Sequence, residues 1–456
     1  MVNRLADRLS PTIESRISAG LKYQKQGQLE EAVLCYRGAI ELAPDFALLH
    51  SNLGNVLQEL QRFDQAQECY IAALELEPHQ PILHNNLGTV LHNLGRYDIA
   101  IENFATATSL KVDYSEAWSN MGNAQKDSGL YNEAEASYQK AIACNSNNAE
   151  AHHNLGLLYL LRGDFQVGWT EYSWRWQTAN YPTPLRSYNI SRWNGESLEG
   201  RHILIYPEQG LGDLVQFARY VPILHKAGAR VSLEVPTALH RLMQGLQGVE
   251  NLVMHGDSPP VFDTHCPLME LPRLSKTVQE TIPSEACYLQ ADPDLIDYWT
   301  NRLGSHDGFR VGIVWAGNPN HKKDRERSIN ARLFQPLATL PGVHLFSLQQ
   351  ERDNEAISLI SPNTEDLAPL LFDFAETAAA MRSMDLIITV DTAVAHVAGA
   401  MGLPVWTLLP FVPDWRWLLN RNDSPWYPSM RLFRQETPGD WESVMNRVMQ
   451  ALHKLV

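Results

Sequence analysis

Two stretches of the same form decide the first half of this chain: Asn52-Leu53-Gly54-Asn55-Val56-Leu57 and, 34 residues later, Asn86-Leu87-Gly88-Thr89-Val90-Leu91. The same spacing continues before and after them, at glycine, alanine and aromatic positions. These positions are Gly20, Gly54, Gly88, Gly122 and Gly156, then Ala32, Ala66, Ala100 and Ala134, then Tyr36, Tyr70, Phe104 and Tyr138. A fixed period of this length indicates stacked helical units, because each unit buries its apolar face only against its neighbours.

The pattern is that of the tetratricopeptide repeat (TPR), in which small residues let two helices approach closely and an aromatic ring fills the gap to the next unit. We expect residues 1–178 to form a TPR superhelix of four repeats, a partial fifth repeat and an aromatic cap. The cap is predicted from Phe165, Trp169, Tyr172, Trp174 and Trp176, which would be a liability if they were exposed. Residues 179–200 are predicted to be a linker.

A second series with the same period consists of Asn52, Asn86, Asn120 and Asn154. On the first helix of each repeat this position is expected to face the concave groove, where amide side chains can bond the backbone of an extended peptide. These four residues are therefore candidates for binding an extended peptide or a partner protein. The alternative is that each asparagine stabilises the neighbouring repeat.

The period changes after about Arg201, where short β-rich runs alternate with helical stretches. Such alternation predicts parallel sheets, in two successive Rossmann-like lobes over residues 201–305 and 306–456. The predicted strands are His202–Tyr206, Arg230–Val235, Asn251–Met254, Arg310–Trp315, Val343–Leu348, Leu386–Val390 and Pro404–Leu409. Ligands of such sheets bind beyond the carboxyl ends of the strands.

The first candidate loop, Glu208-Gln209-Gly210-Leu211-Gly212-Asp213, follows a predicted strand and opens a helix. Gly210 and Gly212 allow a tight turn and close approach of a ligand to the backbone. Asp213 can act as a general base on an acceptor hydroxyl. It can equally stabilise the start of its own helix. The loop lacks the glycine spacing of a dinucleotide-binding turn, which argues against a dehydrogenase.

Two further loops carry groups suited to a diphosphate. The loop after Arg310–Trp315 contains Asn318 and the basic residues Lys322 and Arg327, which can neutralise negative charge if the loop faces a cleft. The segment Asp391-Thr392-Ala393 begins a helix whose free N–H groups favour an anion, and His396 follows one turn later. A solvated loop and a core histidine are the alternatives.

The composition excludes several classes of protein. A formal net charge of −15 disfavours general binding of nucleic acid. The polar start and the absence of long apolar runs predict neither a secretion signal nor a membrane span, so a cytoplasmic location is expected. No ligand pattern for a catalytic metal is visible in the sequence.

The run from Asp391 to Pro404 resembles the donor-binding segment of bacterial heptosyltransferase-like enzymes, glycosyltransferase family 9. The Gly-Leu-Gly-Asp turn resembles their first loop, and the TPR array with its asparagine series resembles O-linked N-acetylglucosamine transferases. Both resemblances imply the GT-B fold of two Rossmann-like lobes, with no metal cofactor and with a last helix that crosses back to the first lobe. Asp440–Leu455 fits that final helix. The fold class expected is α + α/β.

The resemblance also implies roles for residues. Asp213 matches the proposed base, Lys322 or Arg327 the group that steadies the diphosphate, and Gln349 the position that holds the nucleoside. Asp391, Thr392 and His396 match the phosphate-binding segment. Pro413–Trp417 lies outside the pattern expected of heptosyltransferases.

The combined prediction is a glycosyltransferase that uses a nucleotide-diphosphate sugar as co-substrate and a polypeptide acceptor in the TPR groove. Two alternatives stay open. One is a non-catalytic adaptor with a degenerate nucleotide-binding lobe. The other is an enzyme whose acceptor is a glycan.

Overall fold

The computed structural model describes residues 10–179, 181–285, 287–304, 308–321, 323–350 and 355–456. The chain forms two compact units, the first ending at Leu158 and the second beginning at Tyr159. The domain boundaries expected from the sequence stay a prediction. Among the described residues, no helix combines the length and the apolar character that a membrane crossing requires.

The N-terminal region is a solenoid of paired helices, as the period of 34 residues predicts. The division between the two units falls inside its helix α9. The helices are α1 Pro11–Lys25, α2 Leu29–Ile40, α3 Ala47–Glu59, α4 Phe63–Leu76, α5 Pro81–Asn93, α6 Tyr97–Leu110, α7 Ser115–Asp127, α8 Tyr131–Cys144 and α9 Ala149–Arg162.

The glycines of the four complete repeats lie directly under the aromatic ring of their own repeat. A Cβ atom built on Gly88 would lie 2.7 Å from a ring carbon of Phe104. The corresponding distances are 2.9 Å from Gly54 to Tyr70 and 2.6 Å from Gly122 to Tyr138. These contacts are closer than a methyl group tolerates, so the glycines are required by the packing of each helix pair.

The first sheet of the second unit has four strands, all pairing in parallel, in the order β3-β2-β1-β4. The structure adds β4, which the sequence analysis did not predict. The elements in this part are α10 Phe165–Tyr172, β1 His202–Tyr206, α11 Leu211–Phe217, α12 Val221–Lys226, β2 Arg230–Val235, α13 Thr237–Met243, β3 Val249–Met254, β4 Thr264–Pro267, α14 Leu271–Leu274 and α15 Pro293–Leu303.

The second sheet has six strands, again all pairing in parallel, in the order β10-β9-β8-β5-β6-β7. The short β7 and the edge strand β10 were not predicted. The elements are β5 Phe309–Val314, α16 Asp324–Arg327, β6 Val343–Ser347, α17 Glu355–Ser358, β7 Glu365–Asp366, α18 Phe374–Arg382, β8 Leu386–Val390, α19 Ala393–Ala400, β9 Val405–Leu409, β10 Met430–Arg434 and α20 Trp441–Leu452.

Helix α20 matches the predicted final helix in position. Its apolar face, which includes Trp441, Val444 and Val448, packs in the core of the second lobe with Ile313 and Ile388. The crossing to the first lobe stays a prediction.

The aromatic residues predicted to form a cap are packed within the second unit. Trp169 of α10 meets Trp415 edge-on, with 5.2 Å between ring centroids, and Phe165 lies 5.9 Å from Trp426. The predicted linker is also held to the first sheet, because the N–H of Trp193 donates to the carbonyl oxygen of His265 at 2.8 Å. These contacts bring the segment after α10 onto the same unit as the two sheets.

Candidate functional site

The predicted loops lie at the carboxyl ends of three parallel strands, and two of them touch. The loop Glu208–Asp213, here called the glycine loop, follows β1. The loop that contains Asn318 and Arg327, here called the basic loop, follows β5, and Asp391 follows β8. A Cβ atom built on Gly212 would lie only 2.6 Å from Cδ2 of His396. Helices α11 and α19, one from each lobe, therefore pack face to face at the strand ends, where a ligand of a two-lobed α/β protein is expected.

Asp213 makes one of the two interactions that the sequence left open, the stabilisation of its own helix start, and it also forms an ion pair; its role as a base stays a prediction. Its Oδ2 accepts a 2.8 Å bond from the N–H of Gly210, which stabilises the start of α11. Its Oδ1 forms an ion pair with Arg416, whose side chain comes from the second lobe. Burial raises the pKa of the Asp213 carboxyl, and the nearby Arg416 opposes that rise. A carboxylate with a raised pKa is a better proton acceptor.

Arg416 is the functional candidate that the sequence analysis missed. It follows β9, and its Nη1 also donates to Asp414 at 2.7 Å. Its side chain is 8% exposed and lies over the ring of Trp415. Burial opposes the charge of Arg416, but the carboxylates of Asp213 and Asp414 hold its pKa above the usual value. The sequence alone does not indicate this role, because Arg416 can be recognised as a buried, paired cation only after the fold has placed it beside Asp213.

The basic loop after β5 is partly engaged in internal contacts. Arg327 donates from Nη1 to the carbonyl oxygen of Asp391 at 3.0 Å and lies against Gly317, whose Cβ would be 2.5 Å from Nη2. Asn318 is exposed, and its Oδ1 accepts from the N–H of Asn320 in a local turn. Lys322 lies outside the described residues. Arg327 thus joins the loops after β5 and β8.

The helix start after β8 has the geometry expected of an anion site. Thr392 is the residue before α19 and has extended backbone, but its side chain does not cap the helix. Its hydroxyl lies 3.1 Å from that of Thr389 instead. Burial and the neighbouring Asp414 raise the pKa of Asp391 to about 6. The backbone N–H groups from Ala393 onward point along the helix axis, where a phosphate oxygen is favoured.

His396 is a neutral imidazole held between rings. It is 5% exposed, stacks on Trp417 at 5.3 Å, and its Nδ1 lies 2.9 Å from the hydroxyl of Tyr427. Burial and the charge of Arg416 lower the pKa of His396 to about 3. At neutral pH it can still donate one hydrogen bond from Nε2, which faces Gly212.

Gln349 lies at the end of β6, as expected, but its amide is engaged by backbone. Its Oε1 accepts from the N–H groups of Trp315 and Ala316 at 3.1 and 2.9 Å. Its Nε2 donates to the carbonyl oxygens of Ala316 and Gln350. The side chain therefore holds the loop after β5 in place, and contact with a nucleoside stays a prediction.

The asparagine series of the repeat array bonds across repeats. The Nδ2 of Asn86 donates to Oδ1 of Asn55 at 3.2 Å, and Nδ2 of Asn120 donates to Oδ1 of Asn85 at 3.0 Å. All four predicted residues, Asn52, Asn86, Asn120 and Asn154, are half-buried. These bonds agree with the alternative of repeat-to-repeat stabilisation, and binding of a peptide by these asparagines stays a prediction.

A second buried charge cluster lies behind the glycine loop. Arg175 donates from Nε and Nη2 to both oxygens of Glu208, at 2.9 and 3.1 Å, and its Nη1 lies 2.8 Å from Glu270. Arg175 and Glu208 are almost completely buried. Glu208 also accepts from the N–H of Met269 at 2.8 Å. These bonds hold Glu208, the first residue of the glycine loop, and so fix the start of the loop that carries Asp213.

Comparison with known proteins agrees with this division of the chain. Residues 333–417 match glycosyltransferase family 9 (heptosyltransferase), a span that includes Gln349, the helix start at Asp391 and Arg416. It also includes Pro413–Trp417, which the sequence analysis placed outside the heptosyltransferase pattern, and that expectation is corrected. Residues 20–61, 126–163 and 45–111 match TPR families.

Among curated proteins, the chain is 29% identical over 324 residues to protein FlbA of Caulobacter vibrioides. The alignment covers 65% of this chain and 53% of FlbA, so the chain spans about half the length of this relative.

Three solved structures illustrate the structural matches. MamA 41-end from Desulfovibrio magneticus RS-1 is 16% identical, with a TM-score of 0.34, over 36% of this chain and 93% of that one. Pseudomonas aeruginosa PilF is 24% identical, with a TM-score of 0.33, over 36% and 74%. YrrB, described as a TPR protein with an unusual peptide-binding site, is 23% identical, with a TM-score of 0.31, over 35% and 82%.

The chain therefore carries tetratricopeptide repeats in its N-terminal region and a glycosyltransferase family 9 (heptosyltransferase) domain toward its C-terminus.

Proposed function

We propose that the second unit is a glycosyltransferase of the metal-independent GT-B type that moves a sugar from a nucleotide-diphosphate donor to a hydroxyl acceptor. The observation that carries the proposal is the family 9 match over the strand ends that hold Asp391, Ala393 and His396. Two parallel sheets, joined where α11 meets α19, supply the architecture that such a donor requires.

In the proposed reaction, Asp213 accepts the proton of the acceptor hydroxyl while the hydroxyl oxygen attacks the anomeric carbon of the sugar. The bond from that carbon to the phosphate oxygen breaks, and its electron pair leaves with the nucleoside diphosphate. The N–H groups at the start of α19 and the Nε2 proton of His396 offset the charge on the leaving group. Arg327 supports the same site, because it bonds the carbonyl oxygen of Asp391.

The donor site can be tested by a thermal-shift screen of the whole chain against UDP, GDP, ADP, CMP, dTDP and their sugars. A ligand present at 100 times its dissociation constant should stabilise the folded state by about 2.7 kcal/mol. We expect one nucleotide to shift the transition and its sugar form to be turned over. Binding without turnover would favour a nucleotide-sensing adaptor, and no shift with any compound would contradict the proposed donor site.

For the acceptor, we propose a polypeptide bound by the repeats, supported by the half-buried asparagine series. The bonds from Asn86 to Asn55 and from Asn120 to Asn85 favour a second candidate, a glycan acceptor, because they give the asparagines a purely structural use. Initial rates with a peptide pool and with a glycan pool separate the two. Replacing Asn86 and Asn120 by alanine should reduce only peptide transfer.

The control for this experiment is Asn93→Ala. Asn93 is exposed on the same helix as Asn86, and its Nδ2 donates to the carbonyl oxygen of Thr89 in its own helix at 2.8 Å. It should leave transfer to either acceptor unchanged. Equal loss of peptide transfer in the control and in the double variant would contradict a role of Asn86 and Asn120 in binding the acceptor.

A further inference from the structure

Arg416 is surrounded by more negative charge than one cation needs. Its guanidinium contacts the carboxylates of Asp213 and Asp414. Its charge also acts on the nearby carboxyl of Asp391, whose pKa it lowers in opposition to burial. The chain brings these groups together from three places, the start of α11, the end of β8 and the segment after β9. Such a cluster is stable only while its cation stays in place, because like charges repel strongly when partly buried.

The Nε of Arg416 is buried and makes no hydrogen bond within the described part of the chain. A buried N–H donor without a hydrogen-bond partner lowers the stability of the folded protein. The planar guanidinium places Nε and Nη2 in a fork that matches two oxygens of a phosphate. Of these two nitrogens, Nη2 carries the bond to Asp213. A phosphate that used the whole fork would have to displace that carboxylate.

Asp213 can leave this bond without losing its position. Its second oxygen stays bonded to the N–H of Gly210, and the loop is fixed by Glu208 and Arg175. Held by Arg416, the carboxylate is a weaker proton acceptor than it would be alone. Release from the arginine would therefore increase its basicity at the moment when a donor is present.

We propose that Arg416 binds the diphosphate of the donor, and that the donor gains this contact by displacing Asp213, which is thereby freed to serve as the base. The proposal rests on the proposed function, namely a donor with a diphosphate at the ends of β8 and β9. The exchange breaks and forms only ion pairs: the fork of Arg416 passes from a carboxylate to two phosphate oxygens. It makes donor binding a precondition for activating the acceptor.

The test measures the affinity of the full chain for inorganic pyrophosphate and for UDP, GDP and ADP by titration calorimetry. Asp213→Asn keeps the bond to Gly210 but removes the charge that competes for Arg416. We expect it to bind these ligands about tenfold more tightly than the unaltered protein and to lose turnover. Arg416→Gln should weaken the same binding at least tenfold, and the double variant should bind as weakly as Arg416→Gln.

Asp423→Asn is the matched control, because it removes one carboxylate that pairs with Arg421 elsewhere in the same lobe. It should leave binding unchanged, which excludes a general effect of net charge. Unchanged or weaker binding in Asp213→Asn would overturn the proposal and leave the ion pair as a link between lobes. That arm decides the question even if Arg416→Gln does not fold.

The failure of the proposed function gives a different result. If neither the unaltered protein nor Asp213→Asn binds pyrophosphate or any of the nucleotides, both the donor site and the exchange are wrong. If the unaltered protein binds a nucleotide and both substitutions leave its affinity unchanged, only the role of Arg416 is wrong.

Discussion

The repeat array and the second unit both place a glycine under a ring, but they use the contact differently. In the array, Gly88 lies under Phe104 of the same repeat, and equivalent pairs recur in the repeats on either side. In the second unit, Gly212 lies under His396, and this contact joins the first helix of one lobe to a helix of the other. The repeated contact builds a scaffold, whereas the contact made once positions chemical groups.

The two regions also treat charge differently. Arg62 and Glu30 link consecutive repeats through an ion pair whose side chains are 40% and 58% exposed. Arg175 and Glu208 link the segment that follows α10 to the glycine loop through a pair whose side chains are 1% and 0% exposed. When one member of an exposed pair is removed, water can solvate the charge of the other. When one member of a buried pair is removed, the other is left buried without a partner for its charge.

The largest effect is expected from Arg175→Met. The substitution leaves Glu208 and Glu270 buried without their cation, which costs about 3–5 kcal/mol of unfolding free energy. Tryptophan fluorescence during urea unfolding measures it well, because Trp118 alone of the 12 tryptophans precedes the second unit. Arg62→Met is the control; followed by circular dichroism, which reports unfolding of the repeat helices, it should change stability by less than about 1 kcal/mol. Equal losses of unfolding free energy in the two variants would contradict the expected difference between exposed and buried ion pairs.

A smaller effect is expected from filling the space under the rings. Gly88→Ala and Gly212→Ala should each cost about 1–3 kcal/mol, because the added methyl group overlaps Phe104 or His396. Only Gly212→Ala should also weaken nucleotide binding. Gly245→Ala serves as the control, since its Cβ meets its nearest neighbour at 3.7 Å, an ordinary contact. If Gly88→Ala weakened nucleotide binding equally, the proposed difference between the two glycines would be wrong.

The next prediction concerns pH. Because the folded protein lowers the pKa of His396 to about 3 from a usual value near 6.5, the unfolded chain binds an extra proton between these limits. Stability due to the neutral ring is complete above about pH 6.5 and is lost as pH falls toward 3, by at most about 1.4 kcal/mol per pH unit. Replacing His396 by asparagine should flatten the unfolding free energy over this range.

The difference in unfolding free energy between the unaltered protein and the His396→Asn variant reports on His396, because Asp213, Asp391 and Asp414 are present in both. Their raised or lowered pKa values act on each protein alike, apart from their coupling to His396. Parallel curves for the two proteins below pH 6.5 would show that His396 is not the buried neutral group described above.

The smallest effect is expected in the array. Asn86→Ala and Asn120→Ala each remove one bond between repeats and should cost about 0.5–1.5 kcal/mol, measured by circular dichroism of helix unfolding. Asn93→Ala should cost less. A larger loss than in Gly88→Ala would mean that polar bonds, and not ring packing, hold the repeats together.

The sequence predicts the array well because its rules act within one period. Spacing alone identifies Gly54, Gly88 and Gly122, and their aromatic partners follow at a fixed distance along the chain. The strands β1, β2 and β8 also match their predicted bounds. β1 and β8 are buried, mostly apolar runs, whereas β2 alternates valine and leucine with polar residues. β4 escaped prediction because Thr264–Pro267 is short and contains histidine and proline. In β10, two arginines interrupt the apolar pattern.

The candidate site is less predictable, because its contacts join distant segments. Asp213, Asp391 and His396 could be selected because each follows a strand or begins a helix. Arg416 could not, since its partner Asp213 is 203 residues away in the chain. Gln349 has the expected position, but only the structure reveals that its amide bonds the backbone of Trp315 and Ala316.

The long sequence separation across the second unit has a consequence for the order of folding during synthesis. The guanidinium of Arg219 donates to the carbonyl oxygen of Trp426 at 2.7 Å, across 207 residues. Repeat contacts such as Asn86 to Asn55 span only 31 residues. Each repeat can therefore close soon after it leaves the ribosome, whereas the first lobe has to wait for almost the whole chain before its last buried donors find their acceptors.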